Sequence, residues 1–565
     1  MDFKGVTRFV IALLTACVAI SCNVVGDESA HQKQQVSGTV KNVFLVGNNW
    51  DGTADIFDAE TFEHLQKVDV VPDFSKRSRE ILESKDPNSK LFYEMIRALL
   101  AEGNDQLVDD LFTSRDGRYL YASRPSFRDV VAIDLITNEL KWRTDCDGYR
   151  SDHAALSEDS KTLLVSCSTA KNVLAIDTQT GEIIGRFPSG SSPHESTYIR
   201  DGEMIVHANI GAVYRSFSFF VDWFDVSSTK PDAGRFVSKV PTSLELERFI
   251  AKAKAGKPVD FNEAEKKWLD ERIKEERFLH LVPVTKSLDG ATFAKPKKID
   301  MRLLLTDFLG GKHPVDWAIR PMAVARDDKS IFFQVSFFHG FFEYEMPSES
   351  FPNGRVVNRW DLLIPEKVRT LESWQYQLNS AHHGLAINGD NDRLCVAGTM
   401  SGYVAIVDRE KDANGNVVAR YFPLVYDEAD REYTMDALRK DPTSAKPYWA
   451  TTSADGKRCY VTVSQLDKVW VLNYGDRNNG IDPFVEAILN VGHREIVEER
   501  GVPFTLPSVV YKRTPSGVTK IELPETASFS TSRGGHRDKS GSITQRLSHP
   551  QRLRSGYLTS DALRK

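Results

Sequence analysis

Asp116-Gly117-Arg118-Tyr119-Leu120-Tyr121 is the stretch whose reading decides the fold. Asp-Gly suits a tight turn between antiparallel strands, because Gly accepts positive φ and Asp bonds its own backbone; Tyr-Leu-Tyr then begins a strand. The arrangement returns at Asp159-Ser160-Lys161-Thr162-Leu163-Leu164, Asp201-Gly202-Glu203-Met204-Ile205-Val206, Asp327-Asp328-Lys329-Ser330-Ile331-Phe332, Asp390-Asn391-Asp392-Arg393-Leu394-Cys395 and Asp455-Gly456-Lys457-Arg458-Cys459-Tyr460. The leading Asp residues lie 43, 42, 126, 63 and 65 residues apart. The short intervals are about the length of one four-stranded propeller blade, and the long ones require insertions. Another strand ends on Asp in Val130-Val131-Ala132-Ile133-Asp134, Val173-Leu174-Ala175-Ile176-Asp177 and Tyr403-Val404-Ala405-Ile406-Val407-Asp408. A further unit runs from Val43-Phe44-Leu45-Val46 through Trp50-Asp51-Gly52 to Ala54-Asp55-Ile56-Phe57-Asp58. Six Asp turns and this opening unit predict an all-β chain, a seven-bladed β-propeller with two helical insertions.

The totals agree with one large repeated unit. The chain has 565 residues, 41% hydrophobic and 27% charged, enough apolar material for an extensive core. Lys plus Arg is 73 against 79 for Asp plus Glu, a net charge of −6, which excludes a globally basic nucleic-acid binder. Locally the balance shifts: residues 526–556 are rich in Ser, Gly, Thr and Arg, with Asp538 as the single acid.

The N-terminus points to export. Lys4 and Arg8 precede an apolar run from Phe9 to Ile20, too short to span a bilayer as a helix. Leu14-Thr15-Ala16-Cys17 resembles a bacterial lipobox, with Ala19-Ile20-Ser21-Cys22 as the alternative. The expectation is a signal segment over residues 1–22, lipidation at Cys17 or else Cys22, and an extracytoplasmic protein of the bacterial cell envelope, lipid-anchored or periplasmic. Cys167, Cys395 and Cys459 stand in apolar strand-like segments and read as small buried hydrophobes, so no disulfide framework is expected.

The propeller is expected over residues 37–492. One insert, about 74–111, carries Leu91, Met95, Ala98 and Leu99 at helical spacing, with Ser89 as its cap and Gly103 as its stop. The second, about 242–279, has capping-box spacing at Thr242/Glu245 and at Asn262/Glu265. Both read more readily as structural covers over blade edges than as lids. Residues 493–565 form a polar extension, whose His549-Pro550-Gln551-Arg552 is a candidate closing strand of the first blade.

Tyr460-Val461-Thr462-Val463, preceded by Ser453-Ala454-Asp455-Gly456-Lys457, resembles the strand that names the YVTN-type, or YncE-like, β-propellers. The likeness covers the repeats from about Val43 to Gly492 and extends to the superfamily of the amine dehydrogenase heavy subunit. It implies the fold far better than any activity.

Candidate chemistry stands six or seven places before each repeated Asp, where a blade's inner strand should start beside the central channel. These places hold Asp152-His153, His194-Glu195, Arg320-Pro321, His383-Gly384 and Tyr448-Trp449, with His382 adjacent and His549 as the closing member. His153, His194, His383 and His549 are a donor set for a transition metal such as copper, zinc or iron, while Glu195 suits a base and Arg320 an anion clamp. Against a metal, no His-x-His pair or zinc-finger spacing occurs, and His153 stands one register off His194 and His383. Phosphate-loop, nucleophile-elbow and haem-attachment motifs are absent. Two functions follow. One is an exported propeller, anchored to a membrane, that binds a small molecule or protein partner at the channel mouth. The other is a metal-dependent oxidoreductase or lactonase-like enzyme on the histidine cluster. No nucleic-acid partner is expected.

Overall fold

Val130-Val131-Ala132-Ile133 shows how the strands build the ring. In a β-strand alternate side chains leave opposite faces. Val130 and Ala132 pack with Cys167, Leu174 and Ile176 of the next blade, while Val131 and Ile133 pack with Val43, Leu45 and Ile56 of the preceding one. Both faces are buried, hence the unbroken apolar run. Outer strands such as Glu139–Asp145 alternate between exposed and half-buried positions.

The computed structural model describes residues 39–96, 105–211, 278–371 and 380–563 with short gaps, most of them between 492 and 549, together with the strand pair at 224–225 and 235–236. Seven sheets of four or more strands form the blades. Their inner strands are Pro550–Thr559, Leu111–Thr113, Ser151–Leu156, Pro193–Ile199, Ile319–Val324, Gly384–Ile387 and Pro447–Thr452, for blades 1 to 7 in that order. Core clusters fill the seams between neighbouring blades. The repeated Asp turn joins the inner strand to the second strand. Asp116, Asp159 and Asp455 each accept the backbone N–H two residues on, at 3.1 Å, and the hydroxyl two residues before, at 2.5–2.6 Å.

The ring closes with chain from the far end. Pro550–Thr559 pairs antiparallel with Val40–Asn48, matching Val43 to Gly556 and Val46 to Leu553. Asn49 donates to Gln551 and the Ser548 hydroxyl donates to Asp51 at 3.0 Å, an acid that burial pushes up to about 6. Gly117, at φ +68°, makes the closure possible, because a Cβ there would stand 2.4 Å from the Thr559 nitrogen.

The first insert carries two helices, α1 (Phe74–Leu82) and α2 (Pro87–Met95). Helix α2 begins earlier than the expected Ser89 cap: Asp86 accepts the Asn88 N–H at 3.0 Å and Pro87 presets the first turn. Ser89 lies within the helix, its hydroxyl donating back to Asp86. Ala98, Leu99 and Gly103 lie outside the described residues. The insert is fastened to blade 2 by buried charge: Arg124 joins Asp73 at 2.5 Å and Asp129 at 2.7 Å, and Arg77 reaches Asp129 at 3.0 Å and Asp145 at 2.6 Å. Residues 242–277, with the four capping-box residues, are outside the described residues, as are Cys17 and Cys22.

The cysteines depart from expectation. Cys146 pairs with Cys167 at a Cα separation of 5.8 Å, and Cys395 with Cys459 at 6.4 Å, both within the range a disulfide spans. Cys395 and Cys459 are indeed fully buried, but each sits on the second strand of its blade, so the packing of blade 6 on blade 7 sets them face to face. Linear spacing does not reveal that meeting.

Candidate functional site

Five of the seven inner strands carry an irregularity at the channel mouth, and it falls on the candidate residues. Asp152 and His153 together oppose one residue, since Ser151 pairs Cys167 and Ala154 pairs Val165. His194-Glu195, Arg320-Pro321 and Tyr448-Trp449 interrupt their ladders in the same way. On the closing strand the shift falls at Gln551. A bulge places two residues against one and re-aims the side chain, so the fold repeats the device that turns side chains inward at one depth. His383 reaches the ring without a bulge, its N–H bonding Ala397.

The structure brings His153 and His194 together: their Nε2 atoms are 2.8 Å apart. The His383 ring lies 6.4 Å from that of His194 and stacks on Tyr448 at 4.1 Å. His382, by contrast, faces Tyr403 of its own blade and His339 of blade 5. His549 lies outside the described residues. Glu195 is buried with Oε2 accepting the Met322 N–H at 2.7 Å, which ties blade 4 to blade 5. Arg320 donates through Nε to Ser336 at 2.9 Å.

Several ring members escaped the sequence reading. Asp109 and Asp110 stand seven and six places before Asp116, so the same offset reaches them. Arg552 and Arg554 come from the closing strand. Arg554 forms a two-pronged pair with Asp110 at 2.8 and 2.9 Å, and Arg150 pairs with Asp152. Arg552 donates to the Asp109 carbonyl at 2.6 Å and lies 3.7 Å over the Trp449 ring. Its Nη2 abuts the edge of His153, 2.6 Å from Nε2 and closer still to Nδ1.

Burial governs the electrostatics, because a charged form loses hydration inside the channel. Desolvation, and secondarily the Arg552 charge, hold His153 well below its ordinary value, and desolvation lowers His194 to about 3. His383 is depressed by burial and then by Arg320 and Arg552. Burial pushes Asp109 and Glu195 each up to about 7. Asp152 goes the other way: the Arg150 guanidinium beside it outweighs its burial. The three imidazoles are therefore neutral near pH 7, and two carboxyls titrate there. Asp109, Asp152 and His153 also offer ligand atoms all within 4.8 Å of one another, which would accommodate a metal ion.

Fold and site define a seven-bladed β-propeller with a polar ring at one channel mouth. No protein-family description and no curated protein matches the chain, so membership of the YVTN-type group has no support from that side. Among solved structures, Kuenenia stuttgartiensis hydrazine synthase is similar over 73% of this chain and 95% of its own, at 13% identity and a TM-score of 0.40. Dihydro-heme d1 dehydrogenase NirN in complex with DHE is similar over 92% of this chain and 73% of its own, at 10% identity and TM-score 0.39. The β-propeller domain of Myceliophteria thermophila Cps50 (Swd1) gives 68% and 85%, 9% identity and 0.37. Likenesses this distant carry nothing about function.

Proposed function

We propose that this chain is an exported, lipid-anchored propeller that captures a small molecule at its channel mouth. One observation carries the reading. Among the described residues, Asp109 Oδ2, His194 Nδ1, His383 Nδ1 and Arg552 Nη1 are buried without a hydrogen-bond partner. Buried polar atoms in folded proteins are nearly always satisfied, so four on one ring call for an occupant that supplies partners. Export through the signal-like segment is supported by the two disulfides, which persist in oxidising compartments. The anchor rests on Cys17, with Cys22 as the alternative, and the compartment is the bacterial cell envelope.

The metal-enzyme reading has the Asp109, Asp152 and His153 cluster in its favour. Against it stands the Arg552 guanidinium, pressed on both ring nitrogens of His153 where a cation bound by that histidine would sit. That fixed positive charge favours the capture reading.

Native mass spectrometry of untagged protein, with a crystal structure of the same preparation, tests the proposal. A retained small-molecule mass with density in the mouth is expected; a channel filled by water alone would overturn it. A stoichiometric transition metal would replace it with the enzyme reading. For the anchor, Cys17→Ser should abolish lipid labelling. Loss only in Cys22→Ser would move the anchor, and loss in neither variant would remove it.

A further inference from the structure

The path of the chain fixes where the anchor sits relative to the mouth. Val40–Asn48 runs antiparallel to the closing strand, so Gly47 stands beside Arg552 of the ring and Val40 beside Thr559 at the far end. Nine residues of strand separate these ends by about 30 Å. The far end carries the Asp turns: Thr559 donates its N–H to the Gly117 carbonyl at 3.1 Å, and Ser560 donates to the Thr39 carbonyl at 3.0 Å. Cys17 and Cys22 lie 23 and 18 residues before Val40. A lipid on either therefore pulls on the face opposite the mouth.

That face is acidic. The Asp turns at 114–118, 157–161, 200–203, 325–329, 388–392 and 453–457, with the turns into the outer strands at 58–63, 134–139, 177–182, 345–355, 408–418 and 473–483, hold 24 acids against 11 Lys and Arg. This excess of 13 is more than twice the 6 of the whole chain. Anionic headgroups repel such a face, and the repulsion fades beyond about 8 Å at physiological ionic strength. A tether of 18 to 23 residues reaches at most about 60–75 Å, so the disc has room to ride clear of the bilayer without turning over. Side chains also cross the lumen just inside the ring. Arg552 and Arg554 lie 3.7 and 5.3 Å from the Trp449 ring centre, Arg554 pairs with Asp110, and Glu195 reaches Met322.

We propose that the anchored protein holds its mouth away from the membrane and takes a water-soluble molecule from the aqueous phase, its acidic face standing off the lipid headgroups. This rests on the anchor and capture readings and specifies the source and class of the ligand. A lipid leaving the bilayer would meet the acidic turns first and the side chains across the lumen next, whereas a dissolved molecule reaches the ring directly.

Energy transfer from a dye on the full lipidated chain to acceptor-labelled lipid, in vesicles of phosphatidylcholine with or without phosphatidylglycerol, tests the orientation. The dye sites are Asn414→Cys, in an exposed turn of the acidic face, and Lys440→Cys, exposed on the helix Met435–Lys440 that leads into the inner strand of blade 7. Cys22→Ser is added where the lipid is on Cys17. Transfer should be several-fold higher from Asn414→Cys than from Lys440→Cys, and phosphatidylglycerol should lower it at the former site. Equal transfer or the reverse order on a lipidated chain overturns the orientation, and no response to phosphatidylglycerol overturns the standoff. A phospholipid or fatty acid retained in the mouth overturns the aqueous source and leaves capture standing. If neither cysteine carries lipid, the anchor reading fails and this inference fails with it.

Discussion

The two sides of the ring are built on the same bulged scaffold and use it differently. Near blades 2 and 3 every ionised acid is matched: Arg554 with Asp110, Arg150 with Asp152. On blades 4 and 6 stand neutral imidazoles, His194 and His383, whose Nδ1 atoms have no hydrogen-bond partner among the described residues. A matched buried pair contributes chiefly by not being broken, since losing one partner strands a charge. A buried polar atom left unmatched costs folding free energy until a partner reaches it. One side of the ring therefore serves the fold, and the other is the side the proposed capture would use.

Acid should test this division most severely. The ring histidines His153, His194 and His383 have folded values below the ordinary 6.5, so the unfolded chain takes up protons first and stability falls as pH drops beneath about 6.5. Three such groups amount to about 4 kcal/mol per pH unit. Asp109 and Glu195 have the opposite sign: raised to about 7, they favour the folded state at lower pH and lose that contribution as pH rises through 7. Urea unfolding at pH 5, 6, 7 and 8 should show maximal stability between 6 and 7; a flat profile would mean that the imidazoles are hydrated.

Next comes the matched side. Arg554→Leu leaves Asp110 buried and unpaired and should cost about 3–5 kcal/mol of stability, whereas the double change with Asp110→Asn should recover a large part. Replacing Cys395 and Cys459 by Ala should cost about 2–4 kcal/mol and abolish the shift in melting temperature that a reductant otherwise causes through this seam. The smallest stability effect belongs to the unmatched side. His383→Phe preserves the stack on Tyr448 and should change stability by less than about 1 kcal/mol. A large loss of stability there would erase the distinction between the two sides.

Much of this architecture is legible in the chain. The Asp turn recurs because every blade needs a tight link between its inner and second strands, and counting back from it lands on Asp152-His153, His194-Glu195, Arg320 and His383. The same count from Asp116 reaches Asp109 and Asp110, so local pattern carries the ring's membership. It does not carry who meets whom. Arg552 touches His153 across 399 residues of sequence, and Cys395 finds Cys459 across a blade seam. Such partners depend on how wedges of sheet pack around an axis, which no single blade encodes. The start of α2 was obscured for a smaller reason: Asp86-Pro87 and Ser89 both suit a helix entrance, and the Pro settles it by fixing the first φ.

The strand Pro550–Thr559 has a consequence in time as well as in space. It supplies the inner strand of the first blade and brings Arg552 and Arg554 to the ring. During synthesis, the blades can assemble in order as they emerge, but the disc stays an open arc until Pro550–Thr559 has left the ribosome. Throughout that interval Val40–Asn48 offers a bare edge, and Asp109, Asp110 and His153 lack their cations. A product terminated before residue 550 would therefore lose the seal and both of these arginines in one event, so closure and ring assembly depend on the same late strand.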